Sequence, residues 1–189
     1  MASHERLLML LVFAPMVCAP FSYLLGRVGK HGRDVFVQAV TALELLLVLT
    51  LMTEESVSAR WEGFCGLGIG FESGGFHTVM ILLTATGWLA APGVSKEYFA
   101  HLRLRNRYYM FWLFTLGATM GIFLSSDLYT TFIFFEIMSF TSYVAVVQTE
   151  EPAALEAGGT YLAVAVIGGL VTLSGLFLLW FQLGTLTFS

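Results

Sequence analysis

Two carboxylates stand out for where the sequence puts them. Glu136 follows Phe132-Ile133-Phe134-Phe135 and precedes Ile137-Met138, and Glu44 lies within the equally apolar run Val35–Thr53. An ionisable group deep in hydrocarbon costs about 2.5–3.5 kcal/mol on insertion scales, so such groups usually face a bundle interior and mark an ion or proton path. The chemistry open to a lone carboxyl there is proton carriage. An apolar surround disfavours its charged form and a nearby cation favours it, so a cation that approaches or withdraws would release or reload the proton. A plainer role is also open to both residues, that of a neutral acid donating one hydrogen bond between helices. We read Glu136 as the proton-transfer residue and Glu44 as a possible member of the path. Ser139 and Tyr143 share the Glu136 face at i+3 and i+7. Thr115, Thr119 and Ser126 form a second stripe of hydroxyls, suited either to a file of water or to routine interhelical hydrogen bonds.

The elements that must position these groups follow from composition. The chain has 189 residues, 57 % hydrophobic and 12 % charged, with a mean hydropathy of +0.80. Soluble domains carry about 25 % charged residues. Disorder is excluded by the amount of apolar surface. A disulfide scaffold is excluded by a count of two cysteines, Cys18 and Cys65. A net charge of −4 argues against nucleic-acid binding. What remains is an integral membrane protein whose first partner is the lipid bilayer.

Six runs approach the roughly 20 residues that a helix needs to cross hydrocarbon: Leu7–Leu25, Val35–Thr53, Phe76–Gly93, Tyr108–Ser125, Leu128–Val147 and Ala157–Phe181. None alternates with period two, so barrel strands are not indicated. The expected fold class is all-α, a polytopic bundle of six transmembrane helices forming one domain over residues 1–189. Glu136, the ninth residue of its run, falls about 13 Å down the helix, near the bilayer centre. The first run continues through Pro20 to Leu25 and meets Arg27, Lys30 and Arg33, which suits a retained span better than a signal peptide. Pro15 and Pro20 are expected to bend it.

Orientation comes from basic residues in short loops. The loop Gly26–Asp34 carries Arg27, Lys30 and Arg33, and the loop Val94–Arg107 carries Lys96, Arg103, Arg105 and Arg107; only Arg6 and Arg60 fall on the other side. These two loops are expected to be cytoplasmic, which places both the N-terminus and the C-terminus outside. The long outer loop Glu54–Gly75, with Trp61, Phe64 and Phe71, suits an interfacial hairpin, a re-entrant turn or a plain surface loop. Asp127 is placed to cap the fifth helix. Thr149-Glu150-Glu151-Pro152 reads as the start of the sixth, with threonine as cap, proline in the first turn and the glutamates complementing the helix dipole. Gly168, Thr172 and Gly175 lie on one face of that helix, the spacing that lets helix backbones approach closely.

Other chemistry is thin. His4, His31, His77 and His101 lack metal-ligand spacing, the cysteines form no CxxC pair, and no phosphate-binding loop or nucleophile–base set occurs. No metal, cofactor, catalytic residue or redox centre is expected. No lysine or arginine lies within a predicted span, so the cation that would switch Glu136 must come from elsewhere.

The stretch Ser125-Ser126-Asp127-Leu128-Tyr129-Thr130-Thr131-Phe132-Ile133-Phe134-Phe135-Glu136-Ile137-Met138-Ser139-Phe140-Thr141-Ser142-Tyr143 resembles the antiporter-like proton-conducting subunits. These occur in respiratory complex I, an NADH:quinone oxidoreductase, in Mrp-type sodium/proton antiporters and in membrane-bound hydrogenases. Asn106-Arg107-Tyr108, Leu155-Glu156-Ala157, Tyr161-Leu162 and Gly168-Gly169 are similar to the family too, and the match is best over Arg105–Phe188. The resemblance implies that Glu136 is a key residue of a proton path and that the N-terminus is outside. Many members carry a lysine before the aromatic pair matching Tyr161-Leu162, where this chain has Thr160, which the resemblance therefore places on the possible path. Family members run to about fourteen spans in two inverted repeats. The chain thus resembles an N-terminal portion, its cations supplied by other membrane subunits or by a missing C-terminal portion. The implied function is proton or sodium/proton translocation in a bacterial or archaeal plasma membrane. The rival is a structural subunit that scaffolds a redox complex without moving ions, and a third reading is a small stand-alone transporter.

Overall fold

The computed structural model describes residues 3–54, 56–63, 67–98 and 104–188. Phe64, Cys65, His101 and Arg103 lie outside the described residues, as do the side chains of His4 and Lys96. Among the described residues six helices follow one another: α1 Ser3–Val28, α2 Lys30–Leu51, α3 Gly75–Tyr98, α4 Arg105–Leu124, α5 Leu128–Val146 and α6 Pro152–Leu183. All but α4 are long and apolar enough, by length and composition, to cross a membrane. The exception, α4, begins with Arg105-Asn106-Arg107 and holds two tyrosines, yet it is the innermost helix. Tyr109, Leu113, Leu116, Met120 and Leu124 are all buried along it. A helix screened from lipid by its neighbours need not be apolar all round.

α4 packs on α1, α3 and α5; α2 joins α1 to α3, and α6 packs on α5. Two glycines let α4 sit so close. A Cβ at Gly117 would stand 2.5 Å from the Val12 carbonyl oxygen of α1, and one at Gly121 would strike the Phe134 ring of α5. Pro15 and Pro20 lie inside α1, which continues through both.

The segment Gly26–Asp34 is not the loop that its charges suggest. Only Gly29 separates α1 from α2. Arg33 lies in the first turn of α2 and is 1 % exposed. Its Nη1 donates to Asn106 Oδ1 at 2.5 Å, its Nε and Nη2 donate to Asp34 Oδ1 at 3.0 and 2.6 Å, and its guanidinium stands 4.8 Å from the Tyr109 ring centre. Arg105 reaches Asp34 Oδ2 at 3.9 Å. A guanidinium with this many acceptors can be buried at modest cost, so the helix runs through residues that a charge count assigns to solvent.

The long loop contains a hairpin. β1 (Ser58–Trp61) pairs antiparallel with β2 (Ile69–Glu72), Ser58 opposite Glu72 and Trp61 opposite Ile69. The fold is therefore nearly all-α rather than wholly so. The hairpin closes one end of the bundle: Phe71 is fully buried, 6.3 Å from the Phe13 ring and 5.6 Å from the Phe134 ring. The Gly70 N–H donates to Thr130 Oγ1 at 3.0 Å, and the Gly70 carbonyl accepts from the Ser126 N–H at 3.0 Å.

Asp127 caps α5 as expected, its Oδ1 accepting from the Thr130 N–H at 2.7 Å. The Leu128 N–H donates to the Leu186 carbonyl, so the residues after α6 return to the hairpin end. The start of α6 differs from expectation. Glu151, not Thr149, is the N-cap residue, and it makes no side-chain cap bond, while Pro152 does occupy the first turn. Glu150 takes a left-handed φ of 57° and turns its carboxylate to Arg107 Nη1 at 2.9 Å. Glu150 thus serves an ion pair to α4 rather than the α6 dipole.

Candidate functional site at the α5–α6 seam

Glu136 stands in the middle of α5, about 12 Å along the axis from Leu128, and is half-buried. Its carboxylate lies against Gly169 of α6. A Cβ at Gly169 would be 2.6 Å from Oε1 and 2.8 Å from Oε2. The absent side chain is what makes room for the acid between two helices. No ion pair reaches Glu136 from any described residue.

The seam carries hydroxyls toward the end of α5 where Arg107 and Glu150 meet. Ser139 is buried and its carbonyl accepts from the Tyr161 hydroxyl at 3.2 Å. That hydroxyl also shares a 2.7 Å hydrogen bond with Ser142 Oγ. Tyr143 packs its ring on Gly158, where a Cβ would be 3.0 Å from Cε2. Thr160 is exposed and donates to the Glu156 carbonyl of its own helix at 3.2 Å. Ser139, Thr160, Tyr161, Gly169 and Thr172 border an open cavity of about 590 Å³ between the helices. The structure thus brings Glu136, Ser139, Tyr143 and Thr160 to one seam.

Glu44 is elsewhere. It sits on the buried face of α2, 2 % exposed, with Oε1 lacking a hydrogen-bond partner among the described residues. α2 packs on α1 and α3, whereas α5 packs on α4 and α6, so Glu44 and Glu136 belong to different interfaces.

The second hydroxyl stripe divides. Thr115 donates to the Phe111 carbonyl and pairs with Thr141 Oγ1 of α5 at 3.0 Å, and Thr119 donates to the Thr115 carbonyl. Ser126 has left the helix and packs on Gly70 of the hairpin. The small-residue face of α6 also differs from expectation. Gly168 and Gly175 meet nothing, while Gly158 and Gly169 make the close approaches to α5, because α5 packs on the neighbouring stripe of the helix. Tyr161, which the sequence marks only through the family-like pair Tyr161-Leu162, joins the seam through its hydroxyl. Its position eight residues before Gly169 keeps it within one helical stripe.

No family model matches the chain. The chain is 26 % identical, over 98 % of its length, to the antiporter subunit MnhD2 of Staphylococcus haemolyticus, and equally so to MnhD2 of Staphylococcus aureus (strain Newman). It spans 38 % of the length of these relatives. Its fold superposes on a chain of the membrane-bound sulfane sulfur reductase, an archaeal respiratory membrane complex, with a TM-score of 0.82. That match has 23 % identity and covers 95 % of this chain and 38 % of the other. A chain of the Mrp complex from Dietzia sp. DQ12-45-1b gives a TM-score of 0.79 at 21 % identity, covering 99 % of this chain and 36 % of the other. The chain is an integral plasma-membrane protein, homologous to MnhD2 antiporter subunits and sharing the fold of subunits of Mrp and respiratory membrane complexes.

Proposed function

We propose that the chain is part of a cation/proton-translocating subunit in a multi-subunit membrane complex, and that Glu136 is its proton carrier. The observation that supports this most is the apposition of the Glu136 carboxylate to Gly169, at mid-helix and between two helices. A carboxyl held there, short of full burial and with no ion pair from a described residue, is placed where an approaching cation would act on it. Ser139, Thr160 and Tyr161 line the 590 Å³ cavity, Tyr143 packs on Gly158 farther along the seam, and water in that cavity would carry the proton onward. Glu44 serves a separate buried site on the α1–α2 side, a possible second station of the path. The cation is supplied by a further membrane segment or partner subunit facing α6, in keeping with the greater length of the relatives. The basic end of the bundle is cytoplasmic and the hairpin end outside.

The experiment is Glu136→Gln in the assembled complex. Coupled proton transport is lost while assembly is kept; transport at the normal rate rejects the assignment. The rival is a scaffold that moves no ions, motivated by the absence of a cation beside Glu136 among the described residues. Removing the chain from the complex then leaves pumping per electron unchanged, whereas translocation through this chain requires that it fall.

A further inference from the structure

A cavity of about 180 Å³ lies at the hairpin end of the bundle, where β1, the start of α5 and the residues after α6 meet. Arg60, Leu67, Asp127, Trp180, Thr185 and Thr187 border it. Asp127 is 3 % exposed. Its Oδ1 caps α5, while its Oδ2 has no hydrogen-bond partner among the described residues. β2 gives this oxygen room at Gly70, where a Cβ would stand 3.2 Å from Oδ2. A buried carboxylate oxygen without a donor is costly unless a charge or a ligand compensates it.

The charge that compensates it at rest is held at a distance. Arg60 Nη1 is 3.8 Å from Oδ2, beyond hydrogen-bond length, while Nη2 of the same guanidinium donates to the Leu67 carbonyl at 3.0 Å. The Arg60 side chain is 46 % exposed, and an ion pair this open to solvent is weak. Arg60 also borders a neighbouring cavity of about 300 Å³, together with Glu5 of α1 and Trp61. It therefore has a second acid to turn to, and turning there would free both Oδ2 and the Leu67 carbonyl.

The groups so freed are oxygens, and more oxygen stands beside them. Thr185 Oγ1 and Thr187 Oγ1 share a 2.9 Å hydrogen bond, which leaves Thr187 Oγ1 a lone pair to offer. α6 ends at Leu183, between Trp180 and Thr185, so the negative end of its dipole lies at this end too. Carboxylate, carbonyl and hydroxyl oxygens are ligands for hard cations. Calcium takes 6–8 such oxygens, several from carboxylates, and among the described residues no three histidine, cysteine or acidic side chains gather to hold a metal. One carboxylate balances one positive charge, which selects a monovalent ion.

We propose that this cavity binds a hard monovalent cation such as sodium, held at Asp127 Oδ2 with Thr187 and the Leu67 carbonyl, and that Arg60 is its internal competitor, resting beside the acid until the ion displaces it toward Glu5. Asp127 precedes Glu136 by nine residues, about 13 Å along α5, and the site does not rest on proton carriage at Glu136.

The test titrates the intact protein in nanodiscs with sodium chloride, N-methyl-D-glucamine chloride holding the ionic strength constant. Tryptophan emission reads it, since Trp180 borders the site and Trp61 the cavity that receives Arg60; the sodium NMR line width reads the same equilibrium without the indoles. Saturable binding is expected in the parent. Asp127→Asn abolishes it with the melting temperature kept, because asparagine caps a helix as well as aspartate does. Arg60→Gln removes the competitor and tightens binding by about two- to fivefold. Thr187→Val, which touches neither the cap nor the ion pair, weakens binding should Asp127→Asn not fold. No saturable binding by either readout in the parent overturns the proposal. So does binding that survives Asp127→Asn, or binding that weakens in Arg60→Gln.

Discussion

Replacing Gly169 with alanine tests the seam without touching the acid. The added Cβ would lie 2.6 Å from Oε1 and 2.8 Å from Oε2 of Glu136, about 0.8 Å inside ordinary contact for the nearer atom. Backbone does not block it, and the group that must move is the end of a flexible side chain. The carboxylate therefore withdraws by a rotamer adjustment costing about 0.5–1.5 kcal/mol. If that placement is the one that transfers protons, its population falls by about 2- to 10-fold, and Gly169→Val displaces it altogether. Gly168 provides the control, because a Cβ there meets nothing within 4 Å. The assay is proton flux in inverted membrane vesicles carrying the assembled complex, normalised to the amount of this chain. Gly169→Ala lowers flux by about 2- to 10-fold with a nearly unchanged melting temperature, because the gain of alanine over glycine within a helix, about 0.5–1 kcal/mol, offsets the rotamer cost, and Gly168→Ala leaves flux at the parent level. Parent flux in Gly169→Ala, or equal losses at both positions, would refute the reasoning.

Three further outcomes follow from packing. Gly117→Ala destabilises the bundle by about 1–3 kcal/mol, because the new methyl meets the Val12 carbonyl of α1 rather than a movable side chain; thermal unfolding in detergent reads the loss. Arg33→Ala strips Asn106 and Asp34 of their donor and costs about 1.5–3 kcal/mol, and Arg33→Lys restores only part of the lost melting temperature because one ammonium cannot reproduce the fork. Asp127→Ala removes the α5 cap, lowering stability by about 1 kcal/mol, and amide exchange of the Thr130 N–H accelerates first.

The spans were legible because lipid demands long apolar runs, and the depth of Glu136 followed from counting along one of them. What counting along a helix does not give is the partner across from it. The apposition of Glu136 to Gly169 and the bond from Tyr161 to Ser142 join residues 33 and 19 positions apart, which depends on the rotation of α6 about its own axis. The same limit explains why Gly168 and Gly175 looked like the packing face, although the stripe in use is Gly158 and Gly169. Arg33 misled for a different reason. Charge marks loops only when it is solvated, and here Asp34, Asn106 and Tyr109 take the place of water. Among the open readings of the long outer loop, the hairpin emerged because Phe71 fills the bundle end between Phe13 and Phe134. That long-range packing leaves no local trace in the sequence. Thr149 was a reasonable cap by residue type, but the Arg107–Glu150 pair sets the turn and moves the cap to Glu151.

The claim at the centre is that one acid in the α5–α6 seam takes up and gives up a proton during transport. Infrared difference spectra of the complex, recorded at rest and during turnover, observe that event directly. The account predicts a carboxylic-acid carbonyl band that changes with turnover, shifts on deuteration and is absent in Glu136→Gln. A band that changes equally in Glu136→Gln, or a Glu136 carboxyl that holds one protonation state throughout turnover, would contradict it.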